Sequence, residues 1–323
     1  MKKLKQFSLK YLSLIITISL FIVLFIFGSL AYKNFMSLST LLNLLNDNAH
    51  LIIVSVGITF VLITGGIDIS VASTLAFTCV FSAWLLNKGL SAMPVITIVL
   101  VIGAGFGALM GSLIHYFKIQ PFIITLAGQF LLRGMCAVIS TESIPITNPF
   151  YKRMALDKIL IGGGKLYYYV LISLAIVIVA WYTLRYTQFG RNIYAIGGNE
   201  KSALLMGLSV AKTKILVYTI SSFCAALGGV IFSFYTLAGY SLQNVGLELD
   251  AISSSVIGGV QLTGGVGTPV GSVFGVMIQG IIQNLVTYQN LNTWWTKVAN
   301  AALLCIFIIV QKMIAVRTET KTK

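Results

Sequence analysis

The sequence predicts an all-α, polytopic membrane protein of about ten transmembrane helices, two of them broken or short and placed in an internal repeat. Three observations predict it. Of 323 residues, 57% are hydrophobic and only 9% charged, with a mean hydropathy of +0.94. Soluble domains carry roughly 25% charged residues and cannot bury so much apolar surface. The apolar residues also fall into runs of spanning length. Finally, Thr263-Gly264-Gly265-Val266-Gly267-Thr268-Pro269-Val270-Gly271-Ser272 has an echo 199 residues earlier (263 − 64), Thr64-Gly65-Gly66-Ile67-Asp68-Ile69-Ser70-Val71-Ala72-Ser73, identical at five of ten positions. Paired, glycine-interrupted apolar segments in two halves of a chain are a transporter pattern.

The elements follow in order. The run from Tyr11 to Leu30 follows a basic start. Secretory signal cores are roughly 7–15 residues long, whereas a span needs about 20, so a retained first helix is expected. Further spans are expected at 47–63, 71–87, 93–114, 121–139, 167–185, 213–235, 250–262, 269–287 and 294–312. Two of these, 47–63 and 250–262, are short and end at the repeated motif, which makes them candidate half-helices. The chain reads as one domain, 1–323, with repeat halves of about 40–185 and 213–316 joined by a loop, 186–212. Whether the halves are parallel or inverted is left open at this point.

Ten crossings place both termini and 186–212 on one side, where the basic residues cluster. Lys2, Lys3, Lys5 and Lys10 open the chain. Arg185, Arg191, Lys201, Lys212 and Lys214 lie around the central loop, and Lys312, Arg317, Lys321 and Lys323 close it. The positive-inside rule makes that side cytoplasmic. The net charge of +14 is therefore a topological signal and not a nucleic-acid footprint. Lys152, Arg153, Lys158 and Lys165, in the outer 140–166 segment, run against the trend. The four cysteines are scattered through apolar runs without a CxxC, and the two histidines are isolated. No metal or disulfide framework is expected.

The Gly pairs in Gly65-Gly66 and Gly264-Gly265 permit backbone conformations closed to other residues, so each motif, with Asp68 and Gly267, is expected to break a helix. At membrane depth such a break needs cover from protein or a water-filled cavity. Gly267, Gly271 and Gly275, and likewise Gly103, Gly107 and Gly111, recur at every fourth position and offer grooves to neighbouring helices. Asp68 has two readings: an intramembrane ion or proton site, or an acceptor for the amides of the helix opening at Ser70-Val71. Arg133 either donates along a polar path or snorkels to the outer interface beside Glu142. Gln129, Gln279, Gln283 and Asn284 could face a pore or bond between helices. Trp294 and Trp295 suit either sugar stacking or an interfacial belt. In the central loop, Asn199 can cap a helix over 200–206 closed by Gly207, which would present Ala203, Leu204 and Met206 to a partner. Gly162-Gly163-Gly164-Lys165 is no P-loop, because Ile159 and Leu166 stand where Gly and Ser/Thr are required.

On these residues the chain resembles the permease subunits of bacterial ABC sugar importers of the ribose, xylose and galactose group. The resemblance is carried by Gly65-Gly66-Ile67-Asp68-Ile69-Ser70-Val71, Gln120-Pro121-Phe122-Ile123-Ile124-Thr125-Leu126, Tyr194-Ala195-Ile196-Gly197-Gly198-Asn199-Glu200, and the stretch from Leu249 to Thr268. It extends from about residue 40 to 312, with Ala72 a mild departure from a common Gly. Glu142-Ser143-Ile144-Pro145-Ile146, Thr236-Leu237-Ala238-Gly239-Tyr240 and Trp294-Trp295-Thr296-Lys297 most resemble a galactofuranose permease. The resemblance implies a multi-pass protein of the bacterial cytoplasmic (inner) membrane, in contact with lipid. It implies no catalysis and no cofactor in this chain, ATP being bound by a cytoplasmic ATP-binding subunit. A second permease subunit, paralogue or copy, and an extracytoplasmic sugar-binding protein complete the expected assembly. Residues 195–207, including Gly197, Gly198, Asn199, Glu200, Ala203, Leu204 and Gly207, would couple to the ATPase. An ion-coupled secondary transporter using Asp68 is the alternative.

Overall fold

The computed structural model describes the backbone of residues 2–32, 35 and 37–319, and the side chains of 14–32, 35, 37–311 and 313. The side chains of the terminal basic clusters at 2–10 and 312–323 lie outside the described residues. The helices are α1 Lys2–Ala31, α2 Leu38–Ile63, α3 Val71–Asn87, α4 Ala92–Tyr116, α5 Pro121–Ile139, α6 Pro149–Leu156, α7 Tyr168–Tyr186, α8 Gln188–Gly198, α9 Glu200–Leu205, α10 Val210–Thr236, α11 Leu247–Ile257, α12 Pro269–Tyr288 and α13 Trp294–Glu319. Among the described residues, eight helices are long and apolar enough to cross a membrane. Adding α3 and α11, of 17 and 11 residues, accounts for the ten predicted segments.

One of the two short segments was misplaced. The segment predicted at 47–63 is the end of α2, which has 26 residues and starts where Ser37 accepts from the Thr40 amide. The polar group Asn46-Asp47-Asn48 hid its first half, because burial inside the bundle, not lipid contact, surrounds α2 through most of its length. The shorter helices follow and precede the breaks: α3 after the first, α11 before the second.

α2 is the axis of the molecule, packed against α7, α10, α11 and α12. Ser55 of α2 and Ser254 of α11 share a 2.8 Å hydrogen bond and stand 199 residues apart, the offset of the motif repeat. Gly65 and Gly264, each ten residues further on, also meet. Two helices that touch at both places run in the same direction, so the halves are parallel. Around this axis α10 packs on α3 as α1 packs on α12. α1–α4 and α10–α13 thus pack in matching pairs. α5 to α9 form the insert between the halves.

The glycine ridge of α4 does what its spacing predicts. A side chain at Gly103 would meet Ala226, at Gly107 Ser222 and the Tyr218 carbonyl, and at Gly111 Ile215, all on antiparallel α10. The 140–166 segment folds as α6 and a hairpin, β2 Lys158–Ile161 with β3 Gly164–Tyr167. Its turn uses Gly162 and Gly163 at φ 53° and 84°. Asn46 ties the hairpin to α2, donating to the Lys165 carbonyl and accepting from the Tyr167 amide. A second small sheet pairs β1 Ile144–Pro145 with β4 Ala238–Gly239.

Valine at Gly107 must push α4 off α10, at a cost of about 1–3 kcal/mol for overpacking. Valine at Gly105, where a side chain would meet nothing within 4 Å, should be tolerated. Thermal unfolding of the two variants in detergent is expected to show a lowered midpoint for Gly107→Val only.

Candidate functional site

Three glycine pairs converge on one face of the bundle. The first break leaves α2 at Thr64, turns at Gly65 (φ 78°), and passes Gly66 under the Tyr218 ring. The second turns at Gly264 and Gly265 (φ 87° and 77°) and at Gly267 (φ 154°). The Gly265 amide donates to the Ile63 carbonyl at 2.8 Å, which joins the two breaks directly. The third pair is Gly197-Gly198, the end of α8. A side chain at Gly197 would overlap the Ile63 carbonyl oxygen, and one at Gly264 would lie 2.8 Å from the Gly197 oxygen and 3.0 Å from the Gly65 nitrogen. Tyr194, one turn earlier on α8, donates to the Gly267 carbonyl at 2.7 Å. Loop and helix end are thus keyed together by backbone contacts that only glycine allows.

Above the junction, hydroxyl groups join α2 to the second break. Thr59 and Ser272 are 2.6 Å apart, and Ser255 donates to the Ser55 carbonyl at 3.2 Å. Gly271 abuts the Gly258 carbonyl, and Gly275 the Ser254 carbonyl, so α11 and α12 approach at backbone distance. Asp68 is buried and anchors the first break. One carboxylate oxygen accepts from the Ser70 amide (3.0 Å) and hydroxyl (2.6 Å), the other from Ser221 on α10 (2.7 Å). With three donors aimed at it, the carboxylate acts as a tether for the start of α3. The amide it accepts from is that of Ser70, the residue before α3, and no side chain caps α3 itself.

At the opposite end of α11 and α12 lies a polar cavity of about 360 Å³, between α2, α10, α12 and α13. Asp47, Asn48 and His50 reach it from α2, Tyr235 from α10, Gln283 and Asn284 from α12. Lys297 closes one side in an ion pair with Asp250. Carboxylates, amides, a cation and aromatic rings in a space of this size, near the lower end of the roughly 300–1,000 Å³ of small-molecule sites, suit a small polyhydroxylated ligand.

The expected pathway residues divide. Gln283 lines this cavity. Gln279 does not: it bonds α12 to α11 through the Asp250 carbonyl and the Ser253 hydroxyl. Gln129 donates to Glu248 at 3.1 Å, joining α5 to α11. Arg133 is held by the loop before α11. Its guanidinium donates to the Ser241 and Gln243 carbonyls at 2.7 and 2.9 Å, so it clamps the loop before α11 instead of pairing with Glu142. Trp294 is 75% exposed at the start of α13 and stands outside the cavity. Asp47, Asn48, His50, Tyr235, Asn244 and Lys297 were not singled out as pathway residues. The available signal was the polar run Asn46-Asp47-Asn48, which also shows that Asp68 is not the only carboxylate within a span.

At the junction face, Asn199 caps α9 by accepting from the Ser202 amide at 2.8 Å, and Gly207 leaves it at φ 77°. Lys214 pairs with Glu200 at 2.7 Å and holds α9 to α10. Ala203 is fully buried against Ile196 and Val210, contrary to its expected presentation. The exposed face is Leu204, Leu205 and Met206, at 63%, 88% and 67%. The helix turns on Ala203 because that is the one small apolar side chain that fits beneath it.

Residues 40–309 match the model of the family described as the permease component of the branched-chain amino acid transport system. The chain is 47% identical to the inner membrane ABC transporter permease protein YjfF of Escherichia coli, over 96% of this chain and 95% of that protein. It is 37% identical to the fructose import permease FruG of Bifidobacterium longum (91% and 89% covered) and 34% identical to the ribose import permease RbsC of Haemophilus influenzae (89% and 90% covered). No solved structure matches it.

Gly197→Ala forces a carbon into the Ile63 carbonyl, whereas Gly198→Ala meets nothing within 4 Å. In membranes carrying matched amounts of protein, uptake is expected to collapse for Gly197→Ala and to persist for Gly198→Ala. Equal activity of the two would remove the junction from the working parts.

Proposed function

The chain belongs to the ABC permease-component family, and on that premise we propose that it passes a monosaccharide through the membrane in response to ATP hydrolysis on a partner subunit. That it is a multi-pass membrane permease subunit of an ABC sugar importer, and no enzyme itself, follows from its family and its relatives. The rest is our reading. The observation that carries it is Gly197 seated between Ile63 and Gly265. One end of α8 touches both helix breaks and the other side of the same pair leads into exposed α9. Movement of α9 by a docked ATPase therefore has a rigid route to the breaks.

In this reading both termini and α8–α9 are cytoplasmic, the polar cavity opens outward, and a sugar-binding protein delivers substrate to that side. A second permease subunit, a copy or a paralogue, completes the pathway. The substrate class we favour is galactofuranose. Two of the stretches that resemble such permeases pair with one another here: Ile144 lies opposite Gly239 and Pro145 opposite Ala238, while the third supplies Lys297 to the cavity.

Three experiments test the reading. In proteoliposomes holding the full assembly, Leu205→Asp should abolish stimulation of ATP hydrolysis by loaded binding protein while leaving insertion intact. Ala203→Asp should instead destabilise α9 itself, because a buried carboxylate without a partner costs several kcal/mol. Uptake driven by a proton or sodium gradient without the ATPase would refute the ABC mechanism for this chain. Asp47→Asn and Lys297→Met should each lower sugar uptake about tenfold, the worth of one charge-assisted hydrogen bond of roughly 1.5–3 kcal/mol, without altering assembly. Normal uptake in both variants would remove the cavity from the pathway.

A further inference from the structure

The polar cavity has two carboxylates and one ammonium group in its wall, and the ammonium group is already engaged. Among the described residues, Lys297 is the only lysine or arginine that lines it. Its side chain reaches from α13 to the Asp250 carboxylate in the first turn of α11. It also lies over the entry to that helix, since a side chain at Gly246 would end 3.9 Å from Lys297 Nζ. The amino end of a helix carries partial positive charge and free amides, so it attracts anions and repels an ammonium group. Lys297 and the start of α11 would together make an anion site, and Asp250 fills it from within the chain. Glu248, in the same turn, accepts from Gln129 on α5 and does not line the cavity. Asp47, the second carboxylate of the wall, has no lysine or arginine at ion-pair distance among the described residues. The amides that remain, from Asn48, Asn244, Gln283 and Asn284, can serve hydroxyl groups but cannot balance a charge.

We propose that Asp250 is a specificity-determining residue, which masks Lys297 so that the cavity admits neutral monosaccharides and refuses anionic ones. An ammonium group has three donors. With one engaged by Asp250, Lys297 still donates to a neutral hydroxyl while its charge stays balanced. A uronate or a sugar phosphate would have to displace Asp250 and leave that carboxylate unpaired within the bundle, which is strongly unfavourable. This role rests on the reading that sugar enters the cavity, and it assigns the charge class of that sugar to one side chain.

The test uses the purified full chain in neutral detergent at pH 8, above the ordinary histidine range of roughly 6.5. D-galactose and D-galacturonate, which differ only at C6, are titrated separately and their binding is read by saturation-transfer NMR. Wild type should favour galactose. D250N frees Lys297 and should strengthen galacturonate binding about tenfold, the worth of one hydrogen bond to a charged group. Damage to the fold cannot mimic such a gain. D250N/K297M should return galacturonate to its wild-type level. D157N frees Arg153 from an exposed pair, removes the same charge outside the cavity, and should bind as wild type. If D250N does not fold, D250S, which keeps an acceptor oxygen at the start of α11, should show the same gain. Absence of the gain in a folded variant overturns the proposal, and so does wild type binding galacturonate more tightly than galactose. A gain that survives in D250N/K297M, or an equal gain in D157N, overturns it too. Because neither ATP hydrolysis nor uptake is read, failure here leaves the transport reading standing.

Discussion

Everything in this bundle depends on how two stretches of non-helical backbone are kept satisfied where lipid offers no hydrogen bonds. Residues 64–70 and 258–268 leave the helical ladder at one face of the bundle. Their polar groups are met locally, as where the Gly66 amide returns to the Val61 carbonyl and the Gln261 amide to the Val266 carbonyl. They are met across the molecule where Gly265 donates to Ile63. Such closure needs backbones at contact distance, and contact distance needs glycine. The three glycine pairs are the consequence of one constraint met from three directions.

The same constraint explains the distribution of polar side chains. Ser55, Thr59, Ser254, Ser255 and Ser272 face one another along α2, α11 and α12, where a hydroxyl can answer a neighbouring hydroxyl or a carbonyl without a water. Asp68 is stabilised within the bundle by three donors, two from Ser70 just before α3 and one from Ser221 on α10. Between these satisfied seams, the polar cavity around Asp47 and the glycine junction stand at opposite ends of the α11–α12 pair. The helix breaks lie on the α8 side.

Much of this was legible in the sequence. Hydropathy and charge placement determined an all-α membrane bundle with ten segments, because apolar length is a local property. The repeated Thr-Gly-Gly motif marked both breaks, since positive φ favours glycine wherever it occurs. Asn199 and Gly207 bounded α9 because capping is also local. Tertiary structure alone decided that the halves are parallel, since direction shows only where Ser55 meets Ser254 and Gly65 meets Gly264. It decided that α2 begins at Leu38, as Asn46 and Asn48, which interrupt its hydropathy, are covered by the hairpin and α12. It turned Arg133 into a loop clamp, Gln129 and Gln279 into helix ties, and Ala203 inward. A side chain's partner is set by what folds against it, and sequence spacing specifies only the face from which it starts.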